Sequence, residues 1–120
     1  MATQISYSKF ENALMHQYRN QMSGAESSSD VEKFFDYAMR ALCSKVFRGD
    51  LEINQQDIQF TLDGESLYQV HKRLWETDMF REIWDNSDLP KIVQRFAQTA
   101  SNRAVHLEKH REKTNLKIRR

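Results

Sequence analysis

The sequence predicts an all-α fold, a single-domain bundle of four to five helices with a small β-hairpin at 51–62. Three observations carry this. The stretch 31–47 reads VEKFFDYAMRALCSKVF, and eleven of its seventeen residues are apolar. On a helix they cover an arc of roughly 200°, wider than the stripe of a surface helix, so this segment is expected at the centre with neighbours on two sides. Second, three Gly and one Pro in 120 residues leave too few turn formers for an all-β chain. Third, 39% hydrophobic and 29% charged residues suit helices that each keep one wet face. A chain of this length buries enough surface to fold as one domain without a disulfide or metal staple.

The elements follow in order. Residues 1–5 are expected to fray. Ser8 and Glu11 fit a capping box, and Tyr7, Phe10, Leu14 and Tyr18 recur at helical spacing, which predicts a first helix over 8–22. The serine-rich stretch 23–28 is a loop by composition. Ser29 and Glu32 form a second capping-box pattern that opens the central helix. That helix is expected to run to Arg48 and to end at Gly49 in the left-handed C′ position.

The stretch 51–62 is ambiguous. Ile58, Phe60 and Leu62 alternate as a strand does, with Leu51 and Ile53 as partner across a turn at 54–57. The competing reading is a short helix capped by Asn54. A helix capped by Asp63 or Ser66 then carries Leu67, Val70, Leu74 and Trp75 on its core face. Thr77-Asp78 offers a fresh start before Met79, Phe80, Ile83 and Trp84. Pro90 suits the first turn of the last helix, expected over 89–113 with Ile92, Val93, Phe96, Ala97, Ala100, Ala104 and Leu107 as one stripe. The domain reading is a helical domain over 1–113 and a basic C-terminal tail over 114–120.

The chemistry-bearing residues do not assemble into a catalytic set, so the expectation is a protein that is not an enzyme, with no cofactor and no metal. Cys43, the single cysteine, lies mid-helix beside the apolar arc, a place for a core residue rather than a nucleophile. His106 and His110 have the i, i+4 spacing of a two-ligand zinc face, but Lys109 and Arg111 repel a cation there. Glu108 is at the wrong offset for a metalloprotease base. No glycine-rich phosphate loop is present. No apolar run approaches a membrane span, and Met1 opens the chain without an apolar leader. A cytoplasmic protein with no membrane partner is expected.

Two surfaces remain as functional candidates. Residues 103–120 hold seven basic and two acidic residues, a net of +5, leaving −4 on the first 102. Lys91, Arg95, His106, Lys109 and Lys113 share one side of the last helix, and Lys117, Arg119 and Arg120 continue the charge. This is a candidate nucleic-acid face, weighed against a plain solvated face. The second is surplus apolar surface. Phe47 falls on the polar side of the central helix, Lys45 within its apolar arc, and Trp75 and Trp84 add more aromatic area than a short helix pair needs. These four mark a candidate protein interface. The function expected is a small helical protein–protein interaction module, an adaptor or regulatory subunit that forms a homo-oligomer or binds another protein. The alternative is a nucleic-acid-associated protein.

Overall fold

The computed structural model describes residues 5–62 and 66–118, with side chains described through Lys109. The elements run α1 (Ser8–Ser23), α2 (Ser28–Val46), β1 (Ile58–Phe60), β2 (Tyr68–Val70), α3 (Lys72–Trp75), α4 (Asp78–Asp85) and α5 (Leu89–Ile118). α1, α2 and α5 pack pairwise against one another. The hairpin lies on α2, and α4 bridges α3 to α5. Among the described residues, five helices and a small antiparallel hairpin therefore make the predicted all-α architecture.

α2 is the central element. Val31, Phe35, Met39, Leu42, Cys43 and Val46 are buried along its length, and burial of each large apolar side chain is worth roughly 1.5–3 kcal/mol. α1 meets α5 through Tyr18, whose ring lies 4.7 Å from that of Phe96. The Tyr18 hydroxyl donates to the Phe96 carbonyl at 2.8 Å, which satisfies it in the core. Burial pushes the Tyr18 phenol well above its ordinary value of 10.0. Arg103 of α5 donates to the Ala25 carbonyl at 2.7 Å and so ties the α1–α2 loop to the last helix.

The helix starts differ from expectation. α1 has no side-chain cap; Glu11 is buried and paired with Arg95 instead. α2 begins earlier than expected, because Ser27 accepts from the Asp30 N–H at 3.2 Å while the Asp30 carboxylate accepts from the Glu26 N–H at 3.0 Å. These two bonds satisfy end groups that a Ser29 cap would leave free. α2 ends at Val46, followed by Arg48 at φ 53° and Gly49 at φ 80°. The left-handed glycine is as expected, but the turn takes a second, non-glycine residue with it.

The hairpin has a different partner from the one expected. Ile58–Phe60 is a strand, but it pairs with Tyr68–Val70 in the register Ile58↔Val70, Gln59↔Gln69, Phe60↔Tyr68. Residues 54–57 form a turn, in which the Asp57 carboxylate accepts from the Asn54 N–H at 2.7 Å and from Arg73. Because Asp57 also uses its carbonyl to accept the His71 N–H at 2.7 Å, residues up to His71 are held extended. The helix expected from Asp63 or Ser66 starts only at Lys72, with the His71 Nδ1 accepting from the Arg73 N–H at 3.0 Å. The break at Thr77-Asp78 is present, and α5 continues as helix to Ile118, past the expected end.

Candidate functional site

The segment before α1 is held by the turn that starts α5. The Ile5 N–H donates to the Asn86 carbonyl at 3.1 Å, and the Asp88 N–H donates to the Ile5 carbonyl at 3.2 Å. The Asp88 carboxylate accepts from the Tyr7 N–H at 2.8 Å and from the Ser6 hydroxyl at 2.9 Å. This pins residues 5–7 alongside α4 and leaves a groove of about 480 Å³ between them. Val46 and Phe47 form its buried floor, Tyr7, Phe10 and Ile83 its half-buried walls, and Ile5 and Met79 its exposed rim. Lys9, Arg48 and Asp50 supply the charge. The Tyr7 phenol is raised by burial, against the opposing pull of the Arg48 guanidinium, and raised further by Asp88.

Placement of the expected interface residues follows. Phe47 is a correction: it is 2% exposed and its ring stacks on Phe80 at 5.9 Å. The helix ends at Val46, so the backbone turns off the helical path and the 100° step no longer locates the next side chain. Phe47 packs into the core and forms part of the groove floor, not the polar side of α2. Trp75 is 38% exposed and meets Phe80 and Trp84 edge-on at 5.3 Å and 5.6 Å. Trp84 is half-buried and stacks on Phe80. The aromatic surplus is therefore largely spent within one cluster, with an edge of Trp75 in solvent. Lys45 is exposed.

On the basic face, Arg95 is committed. Its Nε and Nη2 donate to the two carboxylate oxygens of Glu11, the second at 2.8 Å. That hydrogen bonding holds the guanidinium pKa above its ordinary value, against partial desolvation. Glu11 thus occupies the Nε–Nη2 edge of this guanidinium, which is no longer available for a two-pronged phosphate contact. Lys91, His106 and Lys109 are exposed, while the side chains of His110, Lys113 and Lys117, with Arg119 and Arg120, lie outside the described residues. Gln98 donates to Asn102 at 3.0 Å on the same face. Among the described residues no cluster of three potential metal ligands exists. Cys43 is fully buried, and burial, with the Asp57 charge adding, pushes its thiol up to about 12, which keeps it a protonated core residue.

Among the described residues no helix is long and apolar enough to cross a membrane. Comparison with protein-family models, with curated proteins and with solved structures finds no match.

The sequence reading missed the groove, because it treated residues 1–5 as frayed. The available signal was Ile5 and Tyr7, two apolar residues at strand spacing just before a helix, together with Asp88, an acid at the start of α5 whose carboxylate turns to Ser6 and Tyr7.

Proposed function

We propose that the chain is a helical protein–protein interaction module that self-associates through the groove between residues 5–10 and α4. The observation that supports this reading is an apolar floor at Val46 and Phe47 under an exposed apolar rim of Ile5 and Met79. Lys9 and Arg48 border the groove with Asp50, and exposed Glu82 flanks the Met79–Ile83 side of α4. A patch carrying both signs of charge around an apolar centre can place opposite charges face to face across a twofold axis, which is what supports self-association here. Sedimentation velocity across a wide concentration range tests it. A dimer that Met79→Asp converts to a folded monomer supports the reading, and a monomer at every concentration overturns it.

The second reading is nucleic-acid binding by α5. It is favoured by one observation: α5 remains helical to Ile118, whereas among its described side chains the last buried one is Ala104 and Leu107 is half-buried. The remaining helical turns carry the basic sequence, with Lys109, Arg111, Lys113 and Lys117. This reading predicts binding to duplex or single-stranded nucleic acid that weakens steeply with salt. Lys109→Glu with Lys113→Glu should abolish it, and binding that these changes leave intact removes the reading.

A further inference from the structure

The turn that receives residues 5–7 is built without them. The Asn86 N–H and its side-chain amide both donate to the Glu82 carbonyl. The Ser87 hydroxyl donates to the Ile83 carbonyl and accepts from the Leu89 N–H at 3.2 Å. The Asp88 carbonyl accepts the Ile92 N–H at 3.1 Å as α5 starts. The Asp88 carboxylate takes no part in these bonds. Among the described residues its hydrogen bonds go to Ser6 and Tyr7 alone. An acid beside a helix start ordinarily accepts from that helix's own end groups. Here Ser87 accepts from the first of them, and the acid serves the segment before α1.

α1 is likewise anchored without residues 5 and 6. The Phe10 and Glu11 N–H groups donate to the Tyr7 carbonyl at 3.0 and 3.1 Å. The Glu11–Arg95 and Tyr18–Phe96 bonds hold the helix to α5. Residues 5–7 therefore lie between two elements that stand without them. They join the second by the bridged pair Ile5↔Ser87 and by the Asp88 carboxylate. Ile5 is 49% exposed, and Ser6 is exposed. Few buried apolar contacts and backbone bonds open to water are the marks of a unit that opens locally while the rest stays folded.

We propose that residues 5–7 are a strap that opens as a unit about Tyr7, with the Asp88 carboxylate as its latch, and that the groove at α4 accepts a second copy only while the strap is closed. The dependence on closure rests on the self-association reading, whereas the strap's own opening does not. Closed, the strap supplies Ile5, Ser6 and Tyr7 to the groove. Open, it removes the Ile5 side of the rim. The latch bonds are a backbone N–H at 2.8 Å and a hydroxyl at 2.9 Å on one carboxylate, and bonds to an ionised acceptor are the stronger kind. Docking of a second copy on the rim holds the strap shut, and a shut strap favours docking, because the two equilibria are linked reciprocally. Both copies need a closed strap, so the dissociation constant of the dimer rises as the inverse square of the closed fraction.

Hydrogen exchange of the full chain, resolved by amide NMR, tests the strap in the Met79→Asp variant, where no second copy intervenes. The probes are the Ile5, Tyr7 and Asp88 amides, whose bonds each span strap and turn. They should exchange through one common opening, more slowly than unstructured amides and at least about a hundredfold faster than the Leu42 and Phe96 amides of the core. Asp88→Ala should speed Ile5 exchange about tenfold, the factor for one hydrogen bond to a charged group. Ser6→Ala, which removes the hydroxyl bond alone, should act in the same direction by a smaller factor. Asp85→Ala, an equal loss of charge at an exposed neighbour, should leave the rate as it was. Strap amides that exchange only with the core, or an Ile5 rate unmoved by both Asp88→Ala and Ser6→Ala, would overturn the strap. In the wild-type chain Ile5 exchange should slow as concentration rises into the dimer range, and sedimentation should show a weaker dimer for Asp88→Ala. An opened strap with an unweakened dimer overturns the coupling. A wild-type chain that stays monomeric at every concentration removes the self-association reading and the coupling with it, while the exchange rates still decide the strap.

Discussion

Glu11 of α1 and Arg95 of α5 form a two-pronged ion pair that joins the first helix to the last, across 84 positions of chain. The carboxylate side chain is 9% exposed and the guanidinium side chain 52% exposed, so the pair sits at the edge of the core with its acid inside. Removing the cation strands a desolvated carboxylate, whereas removing both charges does not. Arg95→Ala is therefore expected to destabilise the fold by about 1–2 kcal/mol, a figure reduced for the exposure of the arginine. Glu11→Met with Arg95→Met should recover most of the loss. Urea denaturation of the single and double variants measures both, and equal losses in the two would contradict the account.

Phe47 and Met79 separate packing from recognition. Phe47→Ala removes a ring stacked on Phe80 and should cost about 3–5 kcal/mol, the range for a buried aromatic. Met79 is 39% exposed at the rim, so Met79→Ser should change monomer stability by less than about 0.5 kcal/mol while weakening self-association. Thermal melts beside sedimentation distinguish the two effects.

Arg48 holds a left-handed conformation that a side chain disfavours by roughly 1–2 kcal/mol. Arg48→Gly should relieve that strain, partly offset by the greater freedom of glycine in the unfolded chain, for a net gain of about 0.5–1 kcal/mol. The same change removes a cation from the groove border. A higher melting temperature together with weaker self-association is the expected combination, and a lower melting temperature would show that the Arg48 side chain stabilises more than its backbone costs.

Tyr18 gives a pH dependence of defined sign. Its folded-state pKa lies above the ordinary 10.0, so the folded chain retains a proton that the unfolded chain loses. Stability tied to this group is complete below pH 10.0 and falls as pH rises above that value. Tyr18→Phe should have lower stability at neutral pH, through loss of the bond to the Phe96 carbonyl, and a shallower alkaline decline. Denaturation midpoints at neutral and alkaline pH check both, and an unchanged alkaline slope would exclude Tyr18 as its source.

Much of the architecture was legible from periodicity. α2 and α5 were placed by their apolar repeats, and the break between α3 and α4 by Thr77-Asp78. What periodicity could not reach was anything decided by a single side chain acting at long range. Tyr68-Gln69-Val70 was read as helix because Val70, Leu74 and Trp75 fit a helical face, and the extended state wins because Asp57 accepts the His71 N–H. Phe47 lies one residue beyond the end of α2, where helical periodicity no longer locates a side chain. Arg95 looked like one of several cations until Glu11, read as a cap, proved to be its partner. The hairpin and Arg95 are settled by contacts distant in the chain, and Phe47 by where its helix stops.

The bridge from Ile5 to Ser87 and the bonds of Asp88 to Ser6 and Tyr7 have a consequence for assembly. One wall of the groove comes from the beginning of the chain and the other from α4, so the groove cannot exist until the turn before α5 is in place. A nascent chain, or a fragment truncated ahead of Asp88, has no such surface. Partner recognition at that groove would thus register that folding is complete, and a binding assay against it would serve as a direct probe of the finished fold.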